Sequence, residues 1–169
     1  VIAGAPGVGK SFEVVKTVEE HGLVDKSDLL ESVTTTDEDT NEDDEEFIEA
    51  VTITGVKTFE VVKGHITSSS LFELLYRNRD ENNTIIMDDI DSIFSDDKAL
   101  NLLKAALDTS SKRRITWGTA YGRRDGVPSV FDFNGSIIFI SNKDFNQMKG
   151  NSTVGKHIEA IMSRCLFLD

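Results

Sequence analysis

Gly4-Ala5-Pro6-Gly7-Val8-Gly9-Lys10-Ser11 is the stretch on which the fold turns. It matches the pattern G-x-x-x-x-G-K-[ST] without a mismatch. Each part has a physical reason. The glycines let the backbone curl until its N–H groups point at one anion. The helix that follows presents its positive end to the same anion. In that arrangement Lys10 reaches β- and γ-phosphate oxygens, and the Ser11 hydroxyl ligates Mg²⁺. The flanks agree. Val1 to Ala3 reads as a short buried strand entering a loop. Lys10 to Glu20 carries Phe12, Val14, Val15 and Val18 at near-helical spacing, with Gly22 as its stop. The nucleotide contacts are therefore assigned to Gly4, Ala5, Pro6, Gly7, Val8, Gly9, Lys10, Ser11 and Phe12.

Further along, Ile85-Ile86-Met87-Asp88-Asp89 is an apolar strand that ends in two carboxylates. In an open α/β sheet, the carboxyl end of a buried strand is where a Mg²⁺ ligand belongs. Asp88 is the candidate ligand, acting through water. Asp89 is the candidate base, or the group that positions water for attack on the γ-phosphate. Alone, such a pair reads as a helix cap; the phosphate loop upstream is what favours chemistry. Asp91 competes for either role and equally suits a cap. A third strand, Ser136 to Ile140, ends at Ser141-Asn142, whose amide would donate to the attacking water or the γ-phosphate. Ser163-Arg164-Cys165 places an arginine between a helix and a last short strand, Leu166 to Leu168. Such an arginine is either a surface charge or a finger offered to a neighbouring subunit's nucleotide.

The remaining elements complete an alternating order. Phe59 to Val62 reads as a strand. Ser68 to Arg79 reads as a helix with serines available as caps, and Asp96 to Asp108 is amphipathic at i, i+3, i+4, i+7. Strands alternating with helices, each strand apolar throughout, argue a three-layer α/β arrangement with a parallel sheet covered on both faces. Residues 1–169 read as one domain.

Charge is unevenly placed. The chain carries 18 basic and 30 acidic residues, a net of −12. Nine of the acidic residues lie between Asp37 and Glu49, with no basic residue among them. Without that stretch, 21 acidic residues face 18 basic ones, so the rest is nearly neutral. Like charges this dense repel, and the stretch reads as a solvated insertion. The opposite bias lies in Lys112, Arg113, Arg114, Arg123 and Arg124, with Trp117 and Tyr121 among them. Asp125-Gly126 is a turn signal, so about 115–133 reads as a hairpin. Its arginines suit either a subunit interface or a single strand of nucleic acid, through phosphate attraction and stacking.

Composition excludes some classes. No apolar run is long enough to span a bilayer, so no membrane is expected. The single cysteine, Cys165, excludes a disulfide framework and suits a reducing compartment. No secretory leader stands at the start, and Val1 in place of Met reads as the interior of something longer. His21, His65 and His157 are scattered and suggest no metal cluster.

Taken together, the motifs resemble the AAA+ ATPase core. Gly4 to Ser11 is similar to its Walker A, and Ile85 to Asp89 to its Walker B. Ile138 to Asn142 resembles the sensor-1 strand with Asn142 as the sensor. Ser163-Arg164-Cys165 resembles the motif of clamp-loader ATPases in which the arginine is the finger. The run Asp88-Asp89-Ile90-Asp91-Ser92 is also similar to AAA+ ATPases of bacteriophages. The resemblance implies a P-loop NTPase with a five-stranded parallel sheet, ring-like homo-oligomers, and ATP with Mg²⁺ held at subunit interfaces. It implies ATP hydrolysis coupled to movement of a macromolecule, in the host cytoplasm if the protein is viral. Some relatives use a hairpin before the sensor strand on their substrate, which points to DNA. The alternatives are a protein-remodelling ATPase, with Phe94 or Trp117 in an aromatic pore loop, and a slow nucleotide-gated binding module. The chain departs from the family in having Asp89 where Glu is usual, one methylene shorter. The helical lid and the residues that cup the adenine lie outside this sequence.

Overall fold

Apolar residues at every position of a strand need cover on both faces, and the sheet is built that way. The computed structural model describes residues 1–29, 55–118, 126–143, 153–166 and 168. The acidic stretch at 37–49 lies outside the described residues.

Helix α1 spans Lys10–Glu20, strand β1 Val24–Asp25, β2 Thr58–Lys63, α2 Ser68–Arg77 and β3 Asn83–Asp88. A 3-10 turn at Asp91–Ser95 leads into α3, Asp97–Ala106. Then come β4 Arg114–Thr116, β5 Val130–Asp132, β6 Ser136–Ile140 and α4 Thr153–Met162. The main sheet runs β1-β2-β3-β6, every pair parallel. Alternation along β3 divides the core. Ile85 and Met87 pack with Leu71, Phe72 and Leu75 of α2, Leu100 and Leu103 of α3, and Ile158 and Ile161 of α4. Ile86 packs on the opposite face with Phe59, Ile140 and Val14 of α1. The chain is thus α/β, with helices on both faces of a parallel sheet.

The sheet has four strands where five were expected. In Val1 to Ala3 only Ile2 pairs, through isolated parallel bridges to Ile140 and to Leu168. Ile2 N donates to Phe139 O at 2.7 Å, and Ser141 N donates to Ile2 O at 3.0 Å. The reason is local. Directly after Ala3, Gly4 adopts φ 143 and the backbone leaves the sheet. At the other edge, the two-residue β1 pairs with Thr58 and Phe59, a strand too short to show periodicity.

The helices follow their caps. The Thr67 side chain, rather than a serine, accepts from Ser70 N at the start of α2. Asp96 accepts from Lys98 N and Ala99 N at the start of α3. Phe12, counted with the apolar face of α1, is exposed, while Val14 is buried. The expected hairpin is present: β4 pairs antiparallel with β5, and residues 119–125 between them lie outside the described residues. Its core-facing Ile115, Phe131 and Phe133 are buried, with Phe131 against Phe72 and Tyr76. Among the described residues no helix is long and apolar enough to cross a membrane.

Gly135, just before β6, is pinned against the C-cap of α2 and the start of β3. An added Cβ would meet the Asn78 carbonyl oxygen far inside van der Waals distance, and the Asn83 carbonyl at 3.1 Å. Gly135→Ala should therefore destabilise the domain by about 2 kcal/mol, in the range of overpacking changes. Gly118→Ala, with nothing within 4 Å, should shift stability by no more than about 0.5 kcal/mol. Urea unfolding of the two variants checks the contrast.

Candidate functional site

In a parallel sheet all carboxyl ends fall on one edge, and strand register decides which residues meet there. Lys63 pairs with Asp88, and Asp88 with Ile140, in one row across β2, β3 and β6. Ile2 bridges Ile140, so the loop from Gly4 leaves from the same edge. The pleat then assigns faces. Ile86 faces α1, so Asp88, two residues on, faces it too. The Ser11 Oγ, in the first turn of α1, donates to Asp88 Oδ1 at 2.7 Å.

The loop closes over its own lysine. Gly9, at φ 80, is the N-cap of α1, a left-handed conformation open to glycine. The Lys10 ammonium has three donors and three acceptors: Gly4 O at 2.9 Å, Ala5 O at 2.8 Å and Asn142 Oδ1 at 2.8 Å. Asn142 turns its other end to Asp89, with Nδ2 donating to Asp89 Oδ1 at 2.8 Å. A cationic donor on one side and a carboxylate on the other fix the orientation of the amide. Val8 and Phe12 are exposed beside this loop.

Asp89 reaches Asn142 through an unusual backbone. Strict alternation would send its side chain to the face of α2 and α3. Its φ is 54, the one positive φ at a non-glycine residue among those described. Asp89 N meanwhile donates to Ile140 O at 3.0 Å, which ties the turn to β6. Aspartate tolerates the left-handed region better than most residues. Asp91 opens the 3-10 turn that follows.

So Lys10, Ser11, Asp88, Asp89 and Asn142 come together at one edge. Lys63 joins them, unforeseen: its Nζ lies 3.0 Å from Asp88 Oδ2. In the sequence it only follows the strand read at Phe59 to Val62, and no motif marks it. The register with Asp88 is what gives it a place.

Arg164 stands apart. It donates to Ala160 O at 2.7 Å and lies 3.9 Å from Asp108 Oδ1. Hydrogen bonding from the Ser110 hydroxyl, more than Arg164, holds the Asp108 carboxyl below its usual range. Among the described residues, no hydrogen bond joins Arg164 to Lys10, Ser11, Asp88, Asp89 or Asn142.

The basic segment is partly spent inside the fold. Arg113 donates to Ala106 O at the end of α3 and to Gly135 O, and lies over the Phe133 ring. Burial pushes its guanidinium below its ordinary value. Arg114 forms a two-pronged pair with Asp132 across the hairpin, and its hydrogen bond holds that carboxyl below its usual range. Arg123 and Arg124 lie outside the described residues. Trp117 packs on Phe72, and Phe94 is buried near Phe139, so the two aromatic candidates serve the core.

No family model matches the chain, and no solved structure matches it. The chain is similar to a protein of Enterobacteria phage T4, named "Uncharacterized 36.7 kDa protein in nrdC-mobD intergenic region". The two are 32% identical over 172 aligned positions, which take in all of this chain and 43% of the relative's length.

The turn at Asp89 makes a stability prediction. Asp89→Gly should be more stable than Asp89→Ala by about 1 kcal/mol, because only alanine meets the left-handed penalty. Thermal unfolding of the pair measures it.

Proposed function

We propose that this chain is the nucleotide-binding core of a P-loop ATPase of the AAA+ class. It binds ATP with Mg²⁺ and cleaves the γ-phosphate anhydride with an activated water. The observation that carries the reading is the meeting of Lys10, Asn142 and Asp89 in one hydrogen-bonded series, beside the Ser11–Asp88 pair. Three separate segments supply these groups, and a structural cap would need only one of them.

The donor set fits the cation. Mg²⁺ takes hard oxygen ligands, few of them from protein, with phosphates and waters completing its shell. The Ser11 hydroxyl and the Asp88 carboxylate offer such oxygens side by side. When bound there, the cation would neutralise charge on the β- and γ-phosphate oxygens. The protein groups do the rest. Lys10 would exchange Gly4 O, Ala5 O and Asn142 Oδ1 for phosphate oxygens, three neutral acceptors for charged ones. Asn142, released by Lys10, would keep its bond to Asp89 and turn toward the γ-phosphate. Asp89 Oδ1 is held by Asn142, which leaves Oδ2 to take a proton from the attacking water. Positioning and charge supply the catalysis. Arg164, engaged with Ala160 and Asp108 rather than with this site, would serve the nucleotide of a neighbouring copy in a ring-like oligomer.

The proposed work of this motor is on nucleic acid, in the cytoplasm of an infected host. The similarity to a phage protein supports the setting. The support from the basic segment is narrower than its composition suggests, since Arg113 and Arg114 are engaged within the fold. Arg123 and Arg124 are the remaining candidates for contact with DNA.

Two experiments on the full-length protein test the proposal. Lys10→Ala should weaken ATP binding about tenfold or more, the scale of a lost charge-assisted contact. Unchanged affinity would remove the phosphate-loop assignment. Asp89→Asn should keep binding and lower turnover by about 10²-fold or more, as for loss of a general base. Unchanged turnover would move that role elsewhere. Turnover stimulated by single-stranded DNA would assign the motor to nucleic acid; indifference would assign it to a protein partner.

A further inference from the structure

Asp88 is only 4% exposed. A carboxylate so placed needs hydrogen bonds and a counter-charge. Both its oxygens are engaged, Oδ1 by the Ser11 hydroxyl at 2.7 Å and Oδ2 by the Lys63 ammonium at 3.0 Å. The partners differ in kind. Ser11 is fixed in the first turn of a helix. Lys63 closes β2, and its side chain is 64% exposed, so it reaches Asp88 from solvent on a flexible stem.

The geometry sets up a competition. In the reading proposed above, on which this inference rests, Ser11 and Asp88 would hold a divalent cation that neutralises phosphate charge. Lys63 holds the same carboxylate with the same sign of charge. An ammonium and a divalent cation drawn to one carboxylate repel, though solvent around the Lys63 stem screens part of that repulsion. Lys63 is the one with an open path away.

We propose that Lys63 is a tethered cation that occupies Asp88 in the metal-free protein and is displaced when the divalent cation enters. It holds one oxygen of the carboxylate while Ser11 holds the other. It also weakens the metal's hold by competing for it. Lys63 is therefore a positioning residue that sets the cation concentration at which the nucleotide site becomes complete. The opposite arrangement, in which Lys63 contacts phosphate directly, would make it a ligand of the nucleotide instead.

The test reads metal binding rather than turnover. Mn²⁺ is titrated into the full-length protein saturated with a non-hydrolysable ATP analogue, and free Mn²⁺ is followed by electron paramagnetic resonance. Lys63→Gln and Lys63→Met should each bind Mn²⁺ about three- to tenfold more tightly than wild type, the range an exposed-to-partly-buried ion pair spans. Lys63→Arg, which keeps the charge, should stay within about twofold of wild type on the same scale. Affinity for the analogue in EDTA should be the same in all four proteins. Unchanged Mn²⁺ affinity in both neutral variants would overturn the proposal. So would weaker Mn²⁺ binding accompanied by loss of analogue affinity in EDTA, which would make Lys63 a phosphate contact. A wild-type protein that binds no analogue, with or without Mn²⁺, would bring down the nucleotide reading and this inference together. Mn²⁺-dependent analogue binding by wild type with no response to Lys63 would sink this inference alone.

Discussion

A negative charge at the end of a central strand has to be answered from nearby, and at Asp88 the answer organises the whole carboxyl edge. Ser11 answers from the first turn of α1, which holds that helix against the α1 face of the sheet. Lys63 answers from the neighbouring strand, one row across in the register. The positions of the Gly4–Ser11 loop, of α1 and of the end of β2 are thus tied to one carboxylate. The apolar layers beneath give that edge its rigidity. Phe59, Ile86 and Ile140 pack under α1, and Ile85 and Met87 pack under α2 and α3.

A second constraint acts beside the first. Asp89 turns into the left-handed region at the residue where its side chain must change sides to meet Asn142. Strained backbone of this kind persists where surrounding structure over-determines it. Here Asp89 N is bonded to β6, its carboxylate to Asn142, and Asn142 to Lys10. Lys10 and Asp89 are therefore linked through a single amide. That is the physical content of calling Asn142 a sensor in the proposed function.

Much of this was legible in the sequence because the signals are local. The loop Gly4 to Ser11, the span Lys10 to Glu20, the strand ending at Asp88 and the strand before Asn142 each announce themselves within a few residues. What was hidden depends on pairing at long range. β1 is two residues long and has no period to read. The strand at Val1 to Ala3 shrinks to bridges at Ile2 alone, and Gly4 turns the backbone away directly after it. Lys63 acquires meaning only from its register with Asp88. Composition misled at the basic segment: it counts charges but does not see that the carbonyls of Ala106 and Gly135 need a donor, which Arg113 supplies. Trp117 and Phe94 likewise looked available until packing placed them on Phe72 and near Phe139.

The central claim is that this edge receives the phosphates of a nucleotide. The most direct measurement is a crystal structure of the full-length protein grown with Mg²⁺ and a non-hydrolysable ATP analogue. The account predicts the β- and γ-phosphates within the Gly4–Ser11 loop, with Lys10 Nζ moved from Gly4 O and Asn142 Oδ1 to phosphate oxygens. A protein that, at saturating analogue, keeps Lys10 bonded to Gly4, Ala5 and Asn142 and holds no phosphate in the loop would contradict it.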